Sequence, residues 1–571
     1  MSIDVACGFW EKSYPAGVSS DQPLPPATPV EHFLETAARA WPDAAAIDFY
    51  DRILTFAELH DLARRAAKGL QALSVGPGVN VGLHLLNTPH YVICTFAVLM
   101  AGGRVVNFSP LAAPRELKDQ IEDTETGVMI TLDRVSLFPQ VAALAAAGHI
   151  DKIVVCALDD FLPPGHTAAI AGAAADRSSA TERQIDFARL TANDGHFERH
   201  QRGPLDDEIA LIGYTGGTTG EPKGAMLTHA NFSAMVNIFL LWTGKADWQY
   251  VRKALVVLPL CHIFGFASIM LLGVATGAVM VLHTRFEINR VLADLSRKKI
   301  TTFAGVPTMY SMLIGHSKIK EFDLSALRYC NVGGGPLPDD VLQRFRQLTG
   351  LTPLVGYGLT ETTAMGAMQV VEGEPRVGTA GLPAPHTLIE IVDLDTGTKV
   401  LPVGECGEIC CSGPHVMKGY WKRPEATEQA FSGGRFHTGD IGFLDADGYL
   451  TLVDRKKDML ICGGFNVFPR AIESVLCEYP TVAEAMVIGI PDPELGQTVK
   501  AFIELKPDCA ALDVDNLKAF LADKIAPYEM PAQIEFRSRL PRTPVGKLSK
   551  RELVAQEAEK ARLSRLMAGP A

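Results

Sequence analysis

Residues 79–108 read VNVGLHLLNTPHYVICTFAVLMAGGRVVNF, and the fold is decided there. Val79, Val81, Leu83 and Leu85 alternate as a strand does, Pro89 stands where a helix opens, Gly102 and Gly103 close it, and RVVNF supplies a second strand. Strand, helix and strand in this order make a β-α-β unit, whose crossover helix returns the chain so that both strands run parallel. Just upstream, Thr55-Phe-Ala-Glu58 has capping-box spacing, and Leu59, Leu62, Ala63, Ala66, Leu70 and Leu73 follow on one helical face. The pattern recurs from Ala278 to Thr360, where AVMVL, ITTFA and LRYCNV alternate with helices such as NRVLADLSRKK and DDVLQRFRQL. Such alternation predicts an α/β protein of doubly wound parallel sheets. Gly333-Gly334-Gly335-Pro336 and Gly356-Tyr357-Gly358 each follow a run that reads as a strand. Open sheets of this class hold ligands beyond their strand carboxyl ends, so both loops are expected at one crevice.

At 571 residues the chain is too long for a single core, and its 47% hydrophobic and 21% charged composition excludes a disordered chain. A net charge of -12 gives no basic stripe for nucleic acid, although a local cluster of cations can still receive an anionic substrate. The eleven cysteines include no C-x-x-C pair, and ECGEICCSG around Cys406, Cys410 and Cys411 reads as a strand, not a metal site. Free thiols and an amino terminus without a basic, apolar leader point to a cytoplasmic protein. Residues 263–282 carry no charge over twenty positions, the length of a membrane span. Thr276-Gly277 interrupts them and AVMVL follows, so a buried helix, a turn and a buried strand are expected; no transmembrane segment is read, and peripheral membrane contact stays open. Residues 163–183, rich in Ala, Gly, Ser and Pro, read as a surface excursion. After Asp454, short strands and helices (PRAIESVLCEY, AEAMVIGI, TVKAFIEL, NLKAFLADKI) suggest a small α+β domain.

The segment richest in chemistry is Tyr214-Thr-Gly-Gly-Thr-Thr-Gly-Glu-Pro-Lys-Gly224. Its glycines, Gly216 among them, expose backbone N–H groups; Thr215, Thr218 and Thr219 add hydroxyls; Lys223 adds a cation, a combination suited to polyphosphate. It is no Walker A loop, because Glu221-Pro222 separates the last glycine from the lysine. Taken alone, a loop of this composition is also a flexible turn.

The complete string resembles the phosphate loop of the adenylate-forming superfamily, which includes acyl-CoA synthetases, peptide-synthetase adenylation domains and firefly-type luciferases. Further segments resemble that family in the same order along nearly the whole chain. Tyr357-Gly358-Leu-Thr360-Glu361 is similar to the motif whose tyrosine packs on adenine and whose acidic residue holds magnesium. Gly334, Gly335 and Pro336 correspond to the loop lining the adenine pocket. His437-Thr-Gly-Asp440 and Asp454-Arg455 resemble the segments whose aspartate takes both ribose hydroxyls and whose arginine fixes the nucleotide. Pro541-Arg-Thr-Pro-Val-Gly-Lys547 resembles the carboxyl-terminal lysine motif, whose lysine reaches substrate carboxylate and α-phosphate during adenylation. The same string resembles sites of reversible acetylation, which implies a lysine acetyltransferase as a partner at Lys547.

The resemblance implies a large amino-terminal domain, residues 1–456, of doubly wound sheets with a β-rich subdomain. It also implies a small mobile α+β domain, residues 457–571, that turns about a hinge at Lys457 between two half-reactions. Cys462-Gly463-Gly464-Phe-Asn466 resembles the loop beside the pantetheine tunnel, although the two glycines alone read equally well as a turn. Ile461 stands where luciferase-like members carry lysine, which disfavours a light-emitting second step. Pro259-Leu-Cys-His262-Ile-Phe-Gly-Phe266 resembles the acyl-pocket segment, with His262 at the mouth and small Gly265, Ala267 and Ser268 leaving room for an alkyl tail. FWEKSYPAGV and NFSPLAAPRELKDQIEDTET look like bacterial medium- and long-chain fatty acyl-CoA synthetases. The implied reaction uses ATP, magnesium and coenzyme A to convert such an acid to acyl-AMP and then acyl-CoA. Two alternatives stay open, an acyl-AMP ligase that loads a carrier protein and a silent nucleotide-binding scaffold; joint presence of Lys223, Glu361, Asp440, Arg455 and Lys547 argues against the scaffold.

Overall fold

A computed structural model describes residues 8–20, 22–163, 172–176, 182–215, 222–243, 252–335, 337–371, 374–462, 465–492, 495–506, 509, 512–542 and 548–568. The chain divides into two compact units, one of Met1–Glu390, Cys410–Phe436 and Ala446–Leu450, the other of Ile391–Ile409, His437–Asp445 and Thr451–Ala571.

Among the described residues of the first unit, strands assemble into an eight-stranded and a seven-stranded sheet. The eight-stranded sheet runs in the order Gly419–Tyr420, Lys223–Thr228, Ile209–Thr215, Arg104–Asn107, Asn80–His84, Val128–Leu132, Lys152–Cys156, Gln184–Asp186. Val81 aligns with Val105 in parallel register on one side and with Val128 on the other, as a β-α-β unit requires. Its crossover helix, Pro89–Met100, is buried at all twelve positions. A helix apolar all round must be covered all round. Within it the hydroxyl oxygen of the fully buried Tyr91 lies 2.8 Å from both Asn107 Oδ1 and the Leu260 carbonyl oxygen, two acceptors for its one proton. Asn87 donates to the Leu258 carbonyl at 2.9 Å and accepts from Leu260 N–H at 2.8 Å, so the segment leading to His262 is fixed from this layer.

The seven-stranded sheet runs Leu354–Val355, Tyr329–Val332, Thr302–Gly305, Lys253–Val256, Val279–Leu282, Ala45–Phe49, Arg52–Thr55, and its strands are parallel except at the Ala45–Phe49/Arg52–Thr55 hairpin. The helix Phe56–Gln71 opens with Thr55 and Glu58 in a reciprocal capping box, as its spacing predicts. Residues 263–282 form a helical segment that ends at Gly277, φ 71°, and then the strand Val279–Leu282. Among the described residues no helix is long and apolar enough to cross a membrane. Periodicity did not reveal that Phe266–Leu271 within this segment is a π turn.

The second unit contains a five-stranded sheet that joins Leu460–Cys462, Phe465–Val467, Val482–Asp492, Gly496–Leu505 and Gln533–Arg537, with helices Pro469–Cys477, Val514–Ala522 and Lys550–Ala568. Pro469–Cys477, Val482–Asp492, Gly496–Leu505 and Val514–Ala522 lie where the sequence suggests them, whereas Gln533–Arg537 and Lys550–Ala568 carry no such expectation. Gly407–Ser412 is a strand, as ECGEICCSG suggests, and every cysteine among the described residues is a free thiol. The parts of the 163–183 excursion at 164–171 and 177–181 lie outside the described residues.

Candidate active site

The phosphate-loop string is carried by a β-hairpin. Ile209–Thr215 pairs antiparallel with Lys223–Thr228, Thr215 standing opposite Lys223 and Tyr214 opposite Gly224. Thr215 and Lys223 therefore close the described ends of the loop, whereas Gly216, Thr218 and Thr219 lie outside the described residues. Asp123, on the helix Pro114–Thr124, braces one stem: its carboxylate accepts the Tyr214 O–H at 2.6 Å and pairs with Arg423 at 3.0 Å. Burial, with the Asp123 contact adding to it, pushes the Tyr214 phenol far above its ordinary range, so it stays a donor.

The two glycine loops leave adjacent strands at one end of the seven-stranded sheet, where Val332 is paired with Val355. Gly334 takes φ 77°, a left-handed conformation that suits glycine. Gly335 follows beside Pro307, whose Cγ lies 3.6 Å from where a Cβ would stand. Pro336 is outside the described residues. Tyr357 is buried and bridges Ala367 through both backbone bonds, at 3.0 and 3.1 Å. From there the chain crosses to the other sheet: Thr360 Cγ2 lies 3.1 Å from where a Cβ on Gly213 would stand, and Glu361, buried in the turn Thr360–Thr362, reaches the hairpin. The crossing depends on Gly358, because a Cβ there would sit 2.3 Å from the Ala364 carbonyl carbon. Gly358→Ala must push backbone against backbone, and a loss of about 1–3 kcal/mol in unfolding free energy is expected, measurable as a lowered thermal midpoint.

Beside the hairpin runs Gly419–Tyr420, which pairs with it so that Tyr420 stands opposite Ala225. The Tyr420 O–H donates to Glu361 Oε1 at 2.9 Å, and Lys223 Nζ lies 5.3 Å from the centre of its ring. Trp421 N–H reaches the Gly224 carbonyl at 2.8 Å, and Met417 N–H the Glu361 carbonyl at 2.7 Å. Glu361, Lys223 and Thr215 are thus brought together, and the residue that joins the acidic and basic groups is one that motif reading passed over. The signal for it is slight: an aromatic pair after glycine in HVMKGYWKRPE.

His262 is exposed, and its Nδ1 caps the following turn by accepting the Phe264 N–H at 3.2 Å. Phe264 lies over Gly333, its Cε1 2.6 Å from where a Cβ would stand, so the acyl-pocket segment meets the first glycine loop directly. The expectation that small residues here leave room fails at Gly265. A Cβ there would meet the Pro259 carbonyl oxygen at 2.3 Å, so backbone already fills the space the side chain vacates. Ala267 is likewise fully buried in the core.

In the second unit, Asp440 lies on the strand Phe436–Leu444 beside Leu450–Arg455, and its Oδ1 is 3.1 Å from Arg455 Nε. Asp454, quoted in the motif but given no role of its own, orients that pair by accepting N–H from Arg455 at 2.7 Å and Arg470 at 2.8 Å. Lys457 occupies an exposed turn after this strand. Gly463, Gly464 and Lys547 lie outside the described residues; Cys462 pairs with Phe465 between two strands, and Arg542 meets Leu548 in an isolated antiparallel bridge.

Residues 34–421 match the AMP-binding enzyme family, and residues 471–547 match the AMP-binding enzyme C-terminal domain. The chain belongs to the AMP-binding enzyme family. A long-chain-fatty-acid–CoA ligase of Bacillus subtilis is 36% identical to this AMP-binding enzyme, covering 96% of this chain and 98% of the relative. A feruloyl-CoA synthase of an Amycolatopsis species is 35% identical, covering 90% and 96%. Among solved structures, ATP-bound MatB from Rhodopseudomonas palustris aligns with a TM-score of 0.81 at 28% identity, covering 93% of this chain and 99% of that one. The anthranilate CoA ligase AuaEII in complex with anthranoyl-AMP aligns at 0.82 and 28%, covering 95% and 99%. These alignments take in both units of the AMP-binding enzyme described above.

Proposed function

We propose that the protein uses ATP to convert a medium- to long-chain fatty, or related hydrophobic, carboxylic acid into acyl-AMP and then into acyl-CoA, releasing pyrophosphate and AMP. The observation that carries this reading is the meeting of Glu361, Lys223 and Thr215 where segments of two sheets converge. Likeness over nearly the full length to ligases that join long-chain fatty acids to CoA supports the substrate class.

A carboxylate is a poor electrophile until an oxygen is converted to a leaving group. In the first step a carboxylate oxygen attacks the α-phosphorus and pyrophosphate departs with the bonding pair. Two anions meet, so preorganised positive charge and N–H and O–H donors lower the barrier. In this reading Lys223, Thr215, Thr218 and Thr219 hold the phosphates and Lys547 meets the carboxylate and α-phosphate. Tyr357, with Gly334, Gly335, Pro336, Gly358 and Thr360, bounds the base, while Asp440 and Arg455 fix the ribose. A buried carboxylate with a hydroxyl donor suits magnesium, which is usually bound through one or two carboxylates together with substrate phosphates and water. Glu361 would hold the ion, and when bound it supplies positive charge against the phosphates.

In the second step the CoA sulfur attacks the acyl carbon, the thiol proton is lost and AMP leaves. Gly463 and Gly464 border the thiol arm, His262 stands at the acid's entrance, and the carboxyl-terminal domain, residues 457–571, turns about Lys457 between the steps. The same reading makes Lys547 an acceptor for reversible acetylation, and an acetyltransferase assay leaving it unmodified counts against that part.

The test is acid-dependent ATP–pyrophosphate exchange over carboxylates of increasing length, followed by thioester detection by mass with CoA as sole acceptor. Each methylene buried adds about 0.8 kcal/mol, so KM should fall along the series until the pocket ends. Preference for acetate or an amino acid overturns the substrate assignment, and no exchange with any acid overturns the activity.

A further inference from the structure

We infer that Tyr420 is a positioning residue that sets the acidic and basic arms of the nucleotide site with two different parts of one side chain. The inference rests on the adenylation reading above and concerns a residue to which that reading gives no role.

Three observations place Tyr420 there. Its backbone is held in the sheet, opposite Ala225, and its N–H donates to Thr427 Oγ1 at 2.9 Å, so the ring cannot wander. Its O–H donates to Glu361 Oε1 at 2.9 Å, which fixes one oxygen of a carboxylate that enters from the other sheet. Its ring face lies 5.3 Å from Lys223 Nζ, within the range where an aromatic quadrupole attracts an ammonium group. Glu361 is buried, and a donor fixed on one of its oxygens restricts how that carboxylate can turn. Acidic and basic groups that face one nucleotide would otherwise collapse onto each other as an ion pair. The tyrosine between them satisfies each separately, the hydroxyl serving the carboxylate and the ring serving the ammonium, and leaves both aimed by a rigid strand.

The two functions separate by substitution. Tyr420→Phe keeps the ring and removes the hydroxyl; Tyr420→Leu removes both. Calorimetric titration of ATP, with magnesium and without it, reads the two arms independently of turnover. For Tyr420→Phe we expect the magnesium-dependent gain in ATP affinity to shrink about tenfold, the size of a lost hydrogen bond to a charged group, with metal-free ATP affinity unchanged. For Tyr420→Leu we expect the same loss of magnesium response plus about three- to fivefold weaker metal-free binding, the size of an exposed cation–π contact. Acid-dependent pyrophosphate exchange of the wild-type protein is run beside them. If wild type exchanges and Tyr420→Phe keeps the full magnesium response, the positioning role is overturned while the activity stands; if wild type shows no exchange with any acid, the activity itself falls. Thermal unfolding is measured for both variants, and should Tyr420→Leu not fold, the phenylalanine variant alone decides.

Discussion

Lys547→Ala is expected to lose acid-dependent ATP–pyrophosphate exchange by about 10²- to 10³-fold, the effect of deleting one preorganised charge-stabilising group from an active site. The same variant should turn pre-made acyl-AMP and CoA into thioester at close to the wild-type rate. The asymmetry follows from charge. In the first half-reaction an anionic carboxylate approaches an anionic phosphate, and a cation at that spot is worth most in the transition state. In the second, a sulfur attacks an acyl carbon already carrying its leaving group, and the lysine has no developing phosphate charge to meet. Separate assays of the two half-reactions check this, and equal loss in both would contradict a lysine that serves one step only.

The second large effect is expected at Asp440. Its carboxylate is buried, held by the ion pair with Arg455 at 3.1 Å, and that arginine is aligned in turn because Asp454 grips its backbone. Two ribose hydroxyls donating to an ionised acceptor each form a strong, charge-assisted bond. Asp440→Asn keeps the volume and removes the charge, and ATP affinity should drop about a hundredfold, at the upper end for bonds of this kind. The sharper readout is discrimination: wild type should bind ATP far more tightly than its 2′,3′-dideoxy analogue, and the asparagine variant should nearly lose that preference. Calorimetry on the four combinations measures the coupling directly. A variant that still distinguishes the two nucleotides would remove Asp440 from the ribose.

What could be read from the chain beforehand, and what could not, divides along physical lines. Residues 79–108 declared a parallel sheet because local patterning and turn residues agree there, and the capping box at Thr55 and Glu58 formed as spaced. The strings carrying Thr215, Lys223 and Glu361 stood out by their resemblance to family motifs, each being short and contiguous, and the fold brings those three residues together. Tyr420 was not, because its partners come from a hairpin and a turn far off in sequence, one of them 59 positions away, and only strand pairing brings them into reach. Asp123 escaped for the same reason, and Asp454 was named only as the neighbour of Arg455: each acts by bracing another group, and a single carboxylate in a sequence carries no sign of what it braces. Gly265 misled because smallness in a sequence suggests vacant space, whereas here the backbone of Pro259 takes that space.

The wide turn at Phe266–Leu271 bears on how such a protein tolerates a change of length over generations. A π turn amounts to one extra residue within an α-helix, and each residue corresponds to about 100° of rotation. Because the wide turn absorbs that residue locally, loss of a single codon there would return the segment to plain α-helix and leave the residues on either side in phase. Descendants could thus lose or regain one residue inside this buried segment in one genetic step, without re-phasing the helix and the strand Val279–Leu282 that follow.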